Sequence, residues 1–172
     1  LMTAYGIQKE DAAGLVSFIF VGMLFGGPLL AFCSKKFGNY GVIITCGLGM
    51  ALTFFLLLLC FGYQAGSLAS LFFCMGIMCC YQVIVFAAGA ELVAPQLLGV
   101  TVALLNCINM LGGSFFHTCI GKVMDIFWTG EFTQTGLKQY SLEAYQHALS
   151  VIPVCAVLGA TMILWLKKRM KT

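Results

Sequence analysis

The stretch "GGPLLAFCSKKFGNYG", residues 26–41, places two lysines, an asparagine and a tyrosine between two strongly apolar runs. Each run has about 20 residues with almost no charge, which is the length that an α-helix needs to cross a bilayer core about 30 Å thick. A short basic segment between two such runs is typical of a turn at the membrane surface. The stretch therefore predicts two membrane-crossing helices joined outside the hydrocarbon core.

The composition extends this interpretation to the whole chain. Of its 172 residues 61% are hydrophobic and 9% are charged, and the mean hydropathy is +1.00. Soluble domains have about 45–50% apolar and about 25% charged residues, so the chain is predicted to be an integral membrane protein with the lipid bilayer as its surroundings. The net charge of +3 is small, and the basic residues are not interleaved with aromatic ones. Nucleic acid is therefore excluded as a partner.

Five apolar segments are long enough to span a membrane as helices. They cover about residues 12–33, 42–63, 68–93, 97–124 and 148–166. Spans of a β-barrel would be about 10 residues long with strict alternation, and no such pattern occurs. The sequence thus predicts an all-α polytopic bundle that forms a single transmembrane domain over residues 1–172.

Metal and enzyme chemistry have little support in the sequence. The nine cysteines lie inside apolar runs, without a C-x-x-C pair and without a histidine at zinc-finger spacing, which predicts buried free thiols and no metal or cofactor. H-E-x-x-H, G-x-S-x-G and paired carboxylates within the membrane are missing too. No catalytic residue is expected.

The basic residues predict the orientation, because cytoplasmic loops of membrane proteins are enriched in lysine and arginine. One side of the predicted membrane receives six of them: Lys35, Lys36, Lys167, Lys168, Arg169 and Lys171. The other side receives three: Lys9, Lys122 and Lys138. This bias predicts a multi-pass protein whose C-terminus is cytoplasmic and whose longest loop, residues 125–147, lies outside.

The opening stretch resembles the loop between the second and third helices of each half of the major facilitator superfamily. That loop follows the pattern G-x-L-x-D-R-x-G-R-R. Aligned on Gly38, the acidic position of the pattern falls at Lys35 and the next basic position at Lys36. The final basic pair falls at Asn39 and Tyr40, so only the basic position at Lys36 and the glycine are retained.

A second and more specific resemblance covers residues 91–125. The tenth-to-eleventh-helix connection and the eleventh helix of the superfamily carry a Glu and a Pro, then a Gly, an Asn, a Gly pair and a terminal G-x-x-x-D. The matching positions in this sequence are Glu91, Pro95, Gly99, Asn106, Gly112, Gly113, Gly121 and Asp125.

The resemblance implies helices eight to twelve of a twelve-helix secondary transporter. Such a protein would move a small organic solute by alternating access between two halves, and a proton gradient is one option for the driving force. The resemblance also implies that the partner is an N-terminal half and that the protein lies in the inner cell membrane of a prokaryote. The alternative is a non-transporting membrane subunit or a decayed transporter.

The fourth predicted span carries a polar stripe. With about 100° of rotation per residue, Asn106, Asn109, Gly113 and His117 fall within about 80° of arc, and Gly99 falls on the same face. Either small residues and amides pack here against other helices, or the stripe lines the substrate path, as the eleventh helix does in the resembled family. His117 is either a hydrogen-bonded packing residue or a proton relay. Apolar residues lie off the stripe: Leu104, Phe115 and Phe116.

The third predicted span adds two candidates near mid-membrane, Tyr81 and Gln82. The tenth helix of the resembled family also lines the cavity, which favours these two as substrate contacts. The alternative for Gln82 is a hydrogen bond to a neighbouring helix.

The predicted cytoplasmic ends contain a candidate gate or helix–loop motif: Lys35, Lys36, Gly38 and Glu91. Glu91 is expected either to act in this gate or to form an ion pair with Lys35 or Lys36, and the alternative is a proton site. The glycines of residues 22–28 predict close helix contact, and the uniformly apolar second and fifth spans predict lipid-facing helices.

Overall fold

The computed structural model of the chain describes residues 6–59, 64–132 and 136–169. Its helices are α1 (Lys9–Phe37), α2 (Asn39–Leu59), α3 (Ala65–Cys79), α4 (Tyr81–Ala90), α5 (Leu98–Ile126) and α6 (Leu142–Arg169). A short 3-10 helix, Pro95–Leu97, precedes α5. The described residues form no strand beyond one isolated bridge between Phe132 and Lys138. The predicted all-α class is confirmed.

Five helical segments are long and apolar enough to cross a membrane, since α3 and α4 together form the third segment. The chain is therefore a multi-pass membrane protein, as its composition predicts. The helices extend beyond the predicted spans at several ends, because polar first and last turns continue the helix into the interface. Residues 60–63, the predicted end of the second span, lie outside the described residues, as do Cys60 and Lys171.

The two lysines of the opening stretch lie at the end of α1. Glu10 and Asp11 lie in the first turn of α1, and Lys35 and Lys36 lie in its last turn, where each charge complements the helix dipole. Gly38 follows with a φ of 78°, and its N–H donates to the Ser34 carbonyl over 2.8 Å. Glycine reaches this left-handed φ without steric cost, so α1 stops here and α2 starts one residue later.

The third segment is interrupted at Cys80. The Cys80 N–H donates to the Ile77 carbonyl, and the Val83 N–H donates to the Cys80 carbonyl, so the local hydrogen bonds have 3-10 spacing. The Cys80 thiol also lies 3.3 Å from the Met23 carbonyl of α1, a bond that ties the interruption to the neighbouring helix. The chain resumes as α4 at Tyr81.

Close backbone contact joins α1 to α3, which run parallel. A Cβ built on Gly22 would overlap the Phe73 carbonyl, and one built on Gly76 would overlap the Ile19 carbonyl. A Cβ built on Gly26 would lie 2.7 Å from the Ile77 Cα. The close approach predicted from the glycines of residues 22–28 is confirmed.

α2 lies nearer the centre of the bundle than the sequence predicts. It contacts α1, α3, α4 and α6, and it buries Val42, Ile43, Cys46 and Ala51. The prediction of a lipid-facing second span is wrong for this face, because uniform apolar composition gives no signal of which side packs. Leu48, Leu52, Phe55 and Leu59 remain exposed on the opposite side.

α6 runs antiparallel to α2 and begins earlier than predicted. A Cβ built on Gly47 would lie 3.4 Å from the Ala160 Cβ, so small residues set the spacing of the two helices. The Ala144 N–H donates to the Ser141 hydroxyl over 3.2 Å, an N-cap bond that starts α6 at Leu142 rather than at about Ala148. Contact with α2 also means that the fifth span does not face lipid all round.

The connection between α5 and α6 is described at residues 127–132 and 136–141. Asp125 accepts hydrogen bonds from the Lys138 ammonium and the Tyr140 hydroxyl, each over 2.7 Å. These bonds raise the pKa of Lys138 and of Tyr140 above their ordinary values. The Lys138 ammonium also lies 4.9 Å from the ring centroid of Trp128.

Candidate functional site

The polar stripe of α5 is exposed along its whole length. None of the 29 residues of α5 is buried, and Asn106, Asn109, Gly113 and His117 are all exposed. The side chains of the two asparagines and the histidine form no hydrogen bond with any other described residue. A Cβ built on Gly113 would meet no atom within 4 Å. The described part of the chain therefore leaves this polar face open.

One side of α5 contacts the rest of the bundle. A Cβ built on Gly89 of α4 would lie 2.6 Å from Leu105 Cδ1 and 3.9 Å from Thr101 Cγ2. The polar stripe begins about 40° of helix rotation beyond Leu105, with Asn109 nearest to α4 and His117 farther round. Across the helix from the stripe, Leu104, Leu111 and Phe115 are exposed by 60%, 70% and 63%.

The structure separates the two candidates of the third span. Tyr81 packs against the buried cluster that includes Leu30, Val42 and Cys46, so its ring belongs to the core between α1, α2 and α4. Gln82 is half-buried and lies about two helical turns from Gly89 on nearly the same face of α4. Because Gly89 faces α5, Gln82 lies on the α5 side as well, at about the depth of Asn109.

The candidate gate residues meet only in part. The Asn39 amide donates to Glu91 Oε1 over 2.9 Å, which ties the start of α2 to the end of α4. Glu91 thus bonds to Asn39 rather than to Lys35 or Lys36, because the turn at Gly38 brings the first turn of α2 beside α4. The two lysines are exposed at the end of α1. Little in the sequence indicated this bond, because Asn39 and Glu91 are 52 residues apart and no local pattern links them.

An open apolar groove of about 780 Å³ lies between α2 and α6. Its lining includes Leu48, Leu52 and Phe55 of α2 and Val154 and Leu158 of α6, and it contains no residue of α5. The Gln146 amide at one end donates to the Leu58 carbonyl over 2.9 Å. The groove is thus separate from the polar stripe and has few groups that could orient a polar solute.

Metal ligands do not cluster in the described part of the chain, where no group of three or more His, Cys, Asp or Glu side chains could hold an ion. The eight cysteines there are free thiols, and Cys46 and Cys80 belong to the buried core. The polar stripe instead offers amide donors and acceptors and one imidazole. Such groups can exchange hydrogen bonds with a polar solute.

Comparison of the chain with protein-family models, with curated proteins and with solved structures finds no match.

Proposed function

We propose that this chain is part of a secondary active transporter that resembles the C-terminal half of the major facilitator superfamily and moves a small organic solute across the membrane. The observation that carries the proposal is the open polar face of α5. Two amides and an imidazole lie along one face of a membrane-length helix, and no described residue covers them.

The energetic argument concerns what can cover this face. An unpaired polar group in hydrocarbon costs several kcal/mol, so the stripe is unstable against lipid tails. Water in a cavity, a polar solute or a second set of helices would satisfy it. A cavity between this bundle and an N-terminal half would expose the stripe to water, to the bound solute and to the helices of the other half at different stages of alternating access.

Gln82 supports the same proposal from α4. It faces α5 at about the depth of Asn109, beside the interruption at Cys80. Interrupted helices near mid-membrane are a recurring feature of transporter binding sites. In this proposal Asn109 and Gln82 contact the solute, while Tyr81 supports the site from the core.

The charged ends set the proposed orientation. The ends of α1 and α6 carry the basic residues, so they face the cytoplasm and the connection of residues 127–141 faces outside. The proposed location is the inner membrane of a prokaryotic cell. Asn39 and Glu91 then form a cytoplasmic contact between α2 and α4 that a gating motion would break.

Cysteine accessibility in the complete transporter tests the proposal. Single cysteines at Asn106, Asn109, Gly113 and His117 are introduced after Cys107 and Cys119 have been replaced. We expect a small charged thiol reagent to modify these positions and to react poorly with Leu104→Cys, which lies on the apolar side. Labelled amino acids, sugars and carboxylates are then screened in uptake assays, and a transported solute should protect at least one stripe position.

Substitution separates a solute contact from packing between helices. We expect Asn109→Ala to reduce uptake or raise the apparent KM at unchanged membrane expression, with Leu104→Ala as the matched control. An unreactive stripe, together with an Asn109→Ala variant that only lowers expression, would show that these residues join helices.

Proton coupling is tested at His117. If the imidazole relays the proton, His117→Gln should remove the dependence of uptake on a pH gradient while downhill exchange of solute continues. Loss of both activities would assign His117 to solute binding or packing instead.

A non-transporting membrane subunit is the second candidate, because another set of helices could cover α5 permanently. The two candidates differ in water access to the stripe. A permanent helix contact would protect all four stripe positions from the charged reagent in every condition.

A further inference from the structure

Charge is distributed unequally between the two ends of the bundle. The end formed by residues 35–41, 90–98 and 167–169 carries five basic residues and one acidic residue, Glu91, for a net charge of +4. The opposite end carries three basic and five acidic described residues, for a net charge of −2. The first end is called the basic end below.

Basic residues from two helices that are distant in sequence meet at this end. A Cβ built on Gly41 would lie 3.6 Å from Lys167 Nζ and 3.9 Å from Phe37 Cβ. The Lys36 ammonium lies 5.4 Å from the centroid of the same Phe37 ring. The corner between α1 and α2 therefore has one ammonium group from α1, beside the Phe37 ring, and one from α6, beside Gly41.

No carboxylate of the described residues neutralises this corner. Glu91 is the one acidic residue at the basic end, and it accepts a hydrogen bond from Asn39 instead of pairing with a lysine. The ion pair between Lys138 and Asp125 lies at the other end of the bundle. The corner thus keeps an excess of positive charge.

Aromatic residues mark the depth of this corner in the membrane. Trp165 is 57% exposed, and the Arg169 guanidinium lies 4.3 Å from its ring centroid. Trp and Tyr side chains concentrate at the level of the lipid headgroups, and lysines near helix ends extend into the same layer. Phe37 and Tyr40 lie at the end of α1 and the start of α2, so this depth is the one expected for the ammonium groups of the corner.

We propose that the basic end binds the headgroup of an anionic phospholipid, with Lys36 and Lys167 as the principal contacts with its phosphate. Two cations with an excess of charge at headgroup depth complement an anionic lipid, and basic sites between membrane helices are suited to such headgroups. Phe37 contacts the adjoining glycerol and upper acyl region, and Trp165 lies at about the same depth on another face of α6. The inference is independent of the transported solute.

Quenching of tryptophan fluorescence tests the proposal, because Trp165 lies at the basic end and Trp128 at the opposite one. The full chain, with Trp128→Phe, is reconstituted in phosphatidylcholine to which a lipid with brominated acyl chains is added. The brominated lipid is phosphatidylglycerol in one set of vesicles and phosphatidylcholine in the other. We expect Trp165 to be quenched preferentially by the brominated phosphatidylglycerol. Its relative association constant should be about thirtyfold above that of phosphatidylcholine, because two lysines near a membrane surface together contribute about 2 kcal/mol.

Substitution at the corner should abolish this preference. In Lys36→Gln/Lys167→Gln the ratio should fall to about one, whereas Lys36→Arg/Lys167→Arg should keep it. The charge-matched control Lys9→Gln/Lys122→Gln removes two positive charges from the opposite end and should leave the preference at Trp165 unchanged. Free inorganic phosphate should not compete, because the proposed ligand is the headgroup of a membrane-anchored lipid.

Three results would overturn the proposal. The first is a preference that survives Lys36→Gln/Lys167→Gln in a protein that retains its helical content. The second is an equal preference at Trp128 in a Trp165→Phe variant, which would indicate attraction by net charge alone. The third is equal quenching of Trp165 by both brominated lipids in the unsubstituted corner.

Discussion

Gly22 and Gly76 set the distance between α1 and α3. Each lacks the Cβ that would overlap a backbone carbonyl of the other helix, and backbone atoms cannot move aside as a flexible side chain can. Membrane helices gain little from the hydrophobic effect when they associate, so close van der Waals contact between backbones contributes much of their attraction. A single methyl group at this contact should separate the two helices.

We expect Gly22→Ala to destabilise the protein by about 1–3 kcal/mol, because the added methyl overlaps the Phe73 carbonyl. Gly27→Ala is the matched control, since a Cβ there meets no atom within 4 Å and alanine favours the helix. Thermal unfolding in detergent measures both. Equal melting temperatures for the two variants would contradict the close contact of α1 with α3.

Single residues were predictable from the sequence where their effect is local. The glycines of residues 22–28 and the turn at Gly38 belong to this class, because helix geometry and φ preference act within a few residues. The hydrogen bond between Asn39 and Glu91 could not be predicted in this way. It depends on the placement of α2 beside α4, and no local pattern gives that placement.

At the scale of elements, α2 and α6 form an antiparallel pair with a defined register. Gly47 faces Ala160. About three helical turns further along α2, the Leu58 carbonyl accepts a hydrogen bond from the Gln146 amide of α6. The pair contains small residues at its closest point and an open apolar groove beyond it. The register of α2 against α6 is therefore fixed at two points, by the contact of Gly47 with Ala160 and by the hydrogen bond of Gln146 to Leu58.

We expect a disulfide to form between Gly47→Cys and Ala160→Cys in a background without native cysteines. The two Cβ positions lie 3.4 Å apart, close to the roughly 3.5–4.5 Å that a disulfide needs. Mild oxidation followed by non-reducing electrophoresis after cleavage of the connecting loop measures the link. Gly47→Cys with Gly159→Cys should remain reduced, since Gly159 faces open space.

The connection of residues 127–141 should respond to alkaline pH. Its bond to Asp125 raises the pKa of Lys138 above the ordinary 10.5, so the contact is complete below that pH and is lost as the pH rises through the higher value of the folded protein. Trp128 fluorescence in a Trp165→Phe variant reports this loss, because Lys138 lies over its ring. A Lys138→Gln variant should already show the high-pH signal at neutral pH.

The elements were predictable in number and type because length and hydropathy are local properties. The ends of the helices were less predictable from the sequence, because Ser141 caps α6 several residues before its apolar run starts. The interruption at Cys80 had no sequence signal, because neither proline nor a polar run occurs there and the bond to Met23 comes from another helix. The predicted exposure of α2 was wrong for the same reason: its neighbours are set by tertiary packing.

At the scale of the whole molecule, the two charged ends predict how the bundle crosses the membrane. In a background without native cysteines, we expect an impermeant thiol reagent to modify Glu131→Cys in intact cells and Lys35→Cys only after permeabilisation. Both positions are exposed, so a lack of reaction reflects the membrane and not burial. Modification of both from the same side would contradict an odd number of spans between them.

The candidate site could be predicted from the sequence as a face of one helix but not as a place in the molecule. Helical periodicity gathers Asn106, Asn109, Gly113 and His117 on one side of α5. The assignment of Tyr81 to the core and of Gln82 to the α5 side required the packing of α4, which is a property of the assembled bundle. No residue that the structure describes covers the stripe.

The exposed surface of α5 has a consequence for the amount of this protein in a cell. A partner that covers the helix stabilises the folded chain by mass action, in proportion to the logarithm of its concentration over the dissociation constant. With the proposed partner, copies made in excess of it would keep amides against lipid, and chaperones and proteases would remove those copies. Synthesis of the partner would then set the steady-state abundance of this chain, and surplus copies would turn over quickly without any dedicated regulator.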